Sequence, residues 1–470
     1  MFALVLIAVV AALFGASAQS STYFLALIVP ITLGVSTSEA LYTALLPVFT
    51  GATRPPRALL AGALRIAVPL TLAATAAYVG VLLAVSPERL AVWLAFAPVL
   101  GATALNGVYA AHLTADRRYS LAILRVPLAT AIALVFVAAV LPAWRSTTAL
   151  ALGVSLGQLA TLAVLALRSR DAPAGETTRT VGTRSLLASS STVFTASLVG
   201  GQLVILVERF LAAGLVAGAV ALLAFARGVA LLPVMFAQAL GGGIFPAATE
   251  RFEALERESL ARLALTGLRL SLLAGLVSTA FVVICRNELV QIAFQRDAFD
   301  AADARETATL VAIFAASLTG VSAAAAGAKV LFALGRRGLV LSISAATIAA
   351  YVTAAVVLRH LHGLDGVATA FTVSTAAGGL ASLVALGLVL GLRRGQVLRE
   401  WVLAPAALAA AFAAGALAVW LPIESDHRSF AAALGTAASA GIAGLAALAA
   451  AIRLANGLEY SLVRRVLRRA

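Results

Sequence analysis

Long apolar runs recur along this chain with a regular beat. Stretches of Ala, Leu, Val, Ile and Phe are broken by short interruptions of charge, Pro and Gly. A helix that crosses a bilayer needs roughly 20 mostly apolar residues, and the sequence supplies such runs repeatedly. The punctuation marks fourteen segments. They fall near 2–16, 22–50, 57–85, 88–115, 119–142, 146–168, 186–212, 216–247, 262–293, 306–329, 338–358, 364–392, 400–422 and 429–452. Several exceed the minimum crossing length, which predicts tilted or interfacially extended helices.

Composition agrees with the pattern. The chain has 470 residues, is 62% hydrophobic and 11% charged, and has a mean hydropathy of +1.03. Soluble domains are about a quarter charged, so this is the composition of a polytopic membrane protein. Cys285, the single cysteine, excludes an intramolecular disulfide framework. The formal charge of +14 invites a nucleic-acid reading until its location is examined. Arginine supplies all but one of the 34 basic residues, Lys329 being the exception, and most lie in short connections between apolar runs.

That placement sets an orientation. Every second connection, together with the C-terminal tail, carries 22 of the basic residues, among them Arg117, Arg118, Arg168, Arg336, Arg337 and Arg399. The alternate connections carry 7, including Arg89, Arg145 and Arg305. The positive-inside rule therefore places the even-numbered connections and the C-terminus in the cytoplasm. At the N-terminus, MFALVLIAVVAALFGASAQS ends in a sequence like a signal-peptide cleavage site. It lacks the positive region such peptides carry, so retention as the first span is expected.

The polar stretch RSRDAPAGETTRTVGTR at 168–184 reads as a linker. It divides an N-terminal six-helix lobe (1–168) from a C-terminal six-helix lobe (186–392), with the linker at 169–185. Residues 393–470 hold helices 13 and 14 and a basic tail. Weak similarity links RALLAGALR at 57–65 with RLALTGLR at 262–269, and ALLPVFTG at 44–51 with GGIFPAAT at 242–249. A six-plus-six pseudo-repeat is a common transporter plan, with the substrate site between the halves. The predicted fold is thus all-α, with 14 transmembrane helices in two six-helix lobes plus two C-terminal helices.

Ionisable groups inside spans are costly and default to function. The candidates singled out among them are Glu39, Arg65, Arg125, Glu208, Arg209, Arg227 and Arg269. Arg65, Arg125 and Arg269 each lie about two turns past a cytoplasmic arginine, some 10–12 Å deep, within snorkelling reach. They are either interfacial anchors or a basic cytoplasmic mouth that attracts phosphate. Glu208 and Arg209 fall near the outer end of their segment, where a solvated helix end competes with a functional role. Arg227, in LAFARGVALLP, is about 11 residues into segment 8 and near the midplane. Snorkelling does not reach from there, so it needs a hydrated cavity or a partner. Glu208 and Glu39 are the acidic candidates. Glu39 is also a candidate coupling group, with a structural ion pair as the alternative.

The second half carries a family pattern. VERFLAAGLVAGAVALLAFARGVALLP, GGIFPAATERF, GLRLSLL at 267–273 and ELVQIAFQRDAFDAADARETATL at 288–310 follow one another. VLFALGRRGLVL at 330–341 and LHGLDGVATAF at 361–371 continue the series. FGASAQSSTYFLALIVP at 14–30 and ALLPVF at 44–49 belong to the same pattern in the first half. In this order and spacing the chain resembles the MurJ/MviN-type lipid II flippases, within the multidrug/oligosaccharidyl-lipid/polysaccharide exporter superfamily. The resemblance implies a bacterial inner-membrane flippase for a polyprenyl-diphosphate-linked saccharide, with cavity arginines on the diphosphate. Arg227 lies one position from the family's helix 8 arginine. There are departures. Ser21 stands where an acidic residue is common, and ITLGVSTS at 31–38 replaces a usual arginine pair. The arginine-bearing segment before the FG of helix 1 does not appear.

Nothing here reads as an enzyme. No GxxxxGK loop is present, no Cys/His cluster has metal spacing, and no cofactor is expected. His360 and His362 in RHLHGLD are expected in an outer loop. The tail LVRRVLRRA suits anchoring to anionic lipid, with an envelope-biosynthesis protein as an alternative partner. The rivals to a flippase are a cation- or proton-coupled drug exporter of the same superfamily and a non-transporting envelope-assembly scaffold.

Overall fold

A computed structural model describes residues 2–50, 57–85, 90–140, 143–170, 186, 190–191, 194–195, 198–233, 257–392, 394–421 and 429–454. The linker, the second part of segment 8 with GGIFPAAT, and the basic tail lie outside the described residues. Within them the chain is helical. The first six helices are α1 Phe2–Phe14, α2 Ala18–Thr50, α3 Arg57–Val85, α4 Leu90–Ala115, α5 Tyr119–Val140 and α6 Thr147–Ser169. A π-helical turn, Leu198–Gln202, leads into α7 Leu203–Ala213, and α8 Ala219–Ala230 follows. Then come α9 Arg257–Ile284, α10 Arg286–Phe294, α11 Ala301–Ala316, α12 Leu318–Ala333 and α13 Arg337–Val389. The chain continues with α14 Arg394–Leu398, a π-helical turn Arg399–Leu403, α15 Ala404–Trp420 and α16 Phe430–Leu454.

Ten described helical stretches are long and apolar enough to cross a membrane. The 53-residue α13 breaks at Gly363, whose φ of 57° and ψ of −126° leave helical space, and so supplies two crossings. With α1, α7 and α8 the total is fourteen. Most of these helices lack a polar stripe, because a helix in lipid satisfies its backbone internally and needs no polar face. Their hydroxyls are taken up locally: Thr37 donates to the Leu33 carbonyl at 2.7 Å and Thr75 to the Thr71 carbonyl at 2.8 Å.

Several boundaries differ from the sequence reading. Segment 9 is two helices, since the chain leaves helical geometry at Cys285 and restarts at Arg286. Segment 10 begins at Ala301, where Asp300 caps the helix by accepting from the Ala302 and Asp303 amides at 2.7 and 2.8 Å. It then breaks at Ser317 between α11 and α12. RHLHGLD is not a loop: His360 and His362 are exposed but helical, and only Gly363 turns the chain.

Two compact units form, Met1–Ala221 and Leu222–Ala470, so the division falls inside α8. Helix α7, which the sequence reading counted with the second lobe, packs on α2 in the first unit. In that unit α4 is the central helix, buried along most of its length between α2 and α6. Gly107 permits this, because an added Cβ would overlap the Ser38 backbone carbonyl of α2. In the second unit α12 lies against α9 and α13, and α15 pairs with α16. A core of Leu268, Leu272, Val330, Leu331, Leu386 and Trp401 joins α9, α12, α13 and the turn before α15.

Candidate functional site

The singled-out residues fall into separate clusters, each within one unit. In the first unit, Arg125 enters from the second turn of α5. Its guanidinium carbon lies 5.8 Å from the centre of the Tyr42 ring, and Glu39 on the exposed side of α2 acts on it electrostatically. The Tyr42 hydroxyl points to Thr114 Oγ1 at 3.5 Å. Two residues expected to act separately, Glu39 and Arg125, are thus neighbours. Arg65 is not part of this group. It lies on the exposed stripe of α3 with Ala61 and Leu72, opposite the buried Ala63 and Ala67.

Glu208 and Arg209 are not a solvated helix end. They are 0% and 5% exposed, and Arg209 Nη1 lies 3.8 Å from Glu208 Oε1. The same Nη1 donates to the Val220 carbonyl at 2.8 Å, which ties the end of α7 to the start of α8. That start is capped from α2: Ser21 Oγ accepts from the Ala221 amide at 3.3 Å. A helix N-terminus leaves amides to be satisfied from elsewhere, and a neutral hydroxyl serves here. Gly218, at φ 91°, allows the connection to approach the Ala16 carbonyl too closely for any Cβ.

Arg227 lies in the second unit on α8. Phe225 holds one side of that helix, with ring centres 5.2 and 5.5 Å from Phe294 and Phe299. Two residues further on, about 200° around the helix, Arg227 points the other way. Its guanidinium carbon is 4.2 Å from the centre of the Phe371 ring and 5.3 Å from that of Phe314. Phe371 is in turn met edge-on by Phe314 and Tyr351, at 5.6 and 6.4 Å. The ring faces supply the negative electrostatic surface that a cation in an apolar setting requires. An aromatic partner of this kind was not anticipated from the sequence, which pointed to a hydrated cavity or a carboxylate.

Arg269 is ion-paired. Its Nη1 donates to Glu400 Oε2 at 2.6 Å, with the two side chains 16% and 28% exposed. The contact fastens α9 to the turn before α15, beside the buried Trp401. Arg65 and Arg269, matched in the repeat, therefore have different surroundings. Sequence reasoning also passed over Glu288. It is 1% exposed in the first turn of α10, and accepts a hydrogen bond from the Trp420 indole at 2.9 Å. The signal was present, because Glu288 falls inside an apolar segment as drawn.

The sequence profile described as "Lipid II flippase MurJ" matches residues 10–437. The chain belongs to the MurJ family of lipid II flippases. Among solved structures it is similar to "Lipid II flippase MurJ, inward closed conformation". That match has a TM-score of 0.80 and 14% identity, and covers 97% of each chain. It is also similar to an inward-facing multidrug resistance MATE family transporter of the MOP superfamily. There the TM-score is 0.65 at 13% identity, over 83% of this chain and 95% of that one. A third, a MOP superfamily transporter from Pyrococcus furiosus, has a TM-score of 0.54 at 13% identity, over 79% of this chain and 85% of that one. Identities this low speak for the fold alone. No curated protein matches the sequence. Family and fold agree on a polytopic flippase of the cell envelope, whose cargo class is a lipid-linked precursor. In ITLGVSTS at 31–38, Thr32, Ser36 and Ser38 are buried.

Proposed function

We propose that this protein translocates a polyprenyl-diphosphate-linked saccharide across the bacterial inner membrane by alternating access. The C-terminus would lie in the cytoplasm. The observation that carries this reading is the family match over residues 10–437, with the same fold along nearly the whole chain. Arg227 is the residue proposed to hold the diphosphate, because a planar fork suits phosphate oxygens. Arg125 and Arg65 would draw the headgroup in from the cytoplasmic side. Arg269 would act mainly by fastening α9 through Glu400. Membrane lipids solvate the polyprenyl tail, and the cargo is moved without covalent change.

The similarity to MATE transporters favours a second reading, a cation- or proton-coupled exporter. Such an exporter uses an intramembrane carboxylate free to exchange its cation. The two candidates named from the sequence, Glu39 and Glu208, each have a guanidinium as neighbour. Conditional depletion separates the readings. Accumulation of a polyprenyl-linked precursor inside the cell is the outcome expected of a flippase. Hypersensitivity to drugs without accumulation would point to an exporter, and neither phenotype to a scaffold.

A further inference from the structure

We infer that the ends of α4 and α6 form a headgroup site for an anionic phospholipid. Arg117, Arg168 and Arg170 are its phosphate ligands, and Arg118 is the strut that gathers them. The site is separate from the cargo residues named above. The backbone at Arg117 gives the first sign of it. Three of the described helices end in the same turn, in which an amide donates to the carbonyl five residues back. After α4 it is Arg118 to Leu113 at 2.8 Å, after α12 Arg336 to Leu331 at 2.9 Å, and after α13 Leu392 to Gly387 at 2.9 Å. The residue before that amide lies in the left-handed region. It is Gly335 at φ 71° and Gly391 at φ 65°, but Arg117 at φ 61° after α4. A Cβ is disfavoured there, and glycine is the usual occupant. An arginine kept against that preference argues for a use of its side chain.

The surroundings supply that use. Arg118 Nε lies 3.0 Å from Asp116 Oδ2, and Arg118 Nη1 donates to the Arg168 carbonyl at 3.0 Å. The second bond carries the α4–α5 connection onto the end of α6, where a cation suits the terminal carbonyls. Arg117 and Arg168 are thereby brought to one end of the unit. Arg170, which caps α6, acts electrostatically on Tyr109 of α4. Arg117, Arg168 and Arg170 are exposed and make no ion pair among the described residues, while Asp116 is taken by Arg118. Three planar forks thus stand unneutralised around one strut. Beside them the surface turns apolar and uncovered, with Tyr119, Ile123 and Leu124 of α5 and Leu167 of α6 exposed. The two helices pack on each other. Charge at the rim with hydrocarbon next to it matches a phospholipid, whose phosphate meets the guanidinium groups while its chains lie on the helices. A soluble polyanion would use the rim alone.

The test is native mass spectrometry of the full chain in detergent, titrated with phosphatidylglycerol or with zwitterionic phosphatidylcholine. The native protein is expected to prefer phosphatidylglycerol at its tightest site by on the order of ten-fold or more. Arg117→Gly removes a ligand and puts glycine where the turn favours it. Its melting temperature is expected at or above native, while the preference falls about five-fold. Arg117→Gly combined with Arg168→Gln and Arg170→Gln is expected to abolish the preference. Arg118→Gln keeps those three charges but cuts the strut, and is expected to weaken the preference too. As a control, Arg336→Gln with Arg337→Gln and Arg453→Gln removes equal charge from the second unit and is expected to keep it. Native preference in the triple variant would overturn the site. An equal loss in the control would also overturn it, since general charge would then be responsible. Displacement of phosphatidylglycerol by equimolar inorganic phosphate, which has no chains, would overturn the lipid as occupant. Should the triple variant fail to fold, Arg117→Gly decides alone, and native preference in it would overturn the proposal.

Discussion

Removing one partner of the Arg269–Glu400 pair separates a structural role for Arg269 from a cargo role. The bond is short, at 2.6 Å, and the side chains are 16% and 28% exposed. Exposed pairs contribute about 0–1 kcal/mol. Truncating one member of a fully buried pair costs about 3–5 kcal/mol, because the other charge is left without compensation. The exposures here lie between those limits, so Arg269→Gln is expected to destabilise the protein by about 2 kcal/mol. Glu400→Gln should cost at least as much, since it strands the more buried Arg269, whereas Glu400 left by Arg269→Gln keeps Arg399 Nε at 3.9 Å. In the double variant neither charge is stranded, and two amides of similar shape can hydrogen-bond. Its loss should fall short of the sum by about 1 kcal/mol or more. The assay is thermal unfolding of the purified protein in one detergent, read by intrinsic fluorescence for all four proteins. Strict additivity of the two single changes would refute the coupling. Recovered stability without recovered translocation in the double variant would show that Arg269 also touches cargo.

Three further outcomes follow from the packing. Gly107→Ala forces a methyl into the Ser38 carbonyl of α2 and should destabilise the first unit by about 1–3 kcal/mol, visible as a lower melting temperature. Trp420→Phe removes the indole donor from the buried Glu288 and should cost about 1–3 kcal/mol. Glu288→Gln, which still offers an acceptor, should be milder in the same melt, and the opposite order would count against the hydrogen bond. Arg209→Met removes the guanidinium beside the buried Glu208 and the donor to the Val220 carbonyl. A loss of about 3–5 kcal/mol is expected. Glu208→Gln combined with Arg209→Met should be less damaging than Arg209→Met alone, as judged by the yield of monodisperse protein.

The sequence carried the architecture because the bilayer imposes it. Apolar runs of crossing length, punctuated by arginines on alternating sides, led to fourteen segments, and the helices fall in that order. The breaks at Cys285 and Ser317 were not legible. An apolar run has the same composition whether it continues or restarts, and the departure is decided by what packs against it. Gly363 was legible as punctuation, but the surrounding RHLHGLD looked like a loop, since polar residues at a helix end resemble polar residues in a turn. Within the site, depth alone singled out Arg227 as a residue needing a hydrated cavity or a partner, and two ring faces lie beside it. The partner was hidden because Phe314 and Phe371 are distant in sequence and look like any other core aromatic. Glu400 was hidden for the same reason, at 131 residues from Arg269. Glu39 and Arg125 were both visible, but their proximity depends on how α2 and α5 pack.

The central claim is that this chain moves a diphosphate-linked lipid between leaflets, and reconstitution tests it most directly. Purified protein is placed in vesicles with a fluorescent polyprenyl-diphosphate disaccharide, and a membrane-impermeant quencher reports the fraction of probe in the outer leaflet over time. The account predicts that native protein makes the protected inner pool accessible, that an Arg227→Met variant with a native melting temperature does so far more slowly, and that protein-free vesicles do not. An inner pool that stays protected with folded native protein present, under an imposed membrane potential or ion gradient of either sign, would contradict it.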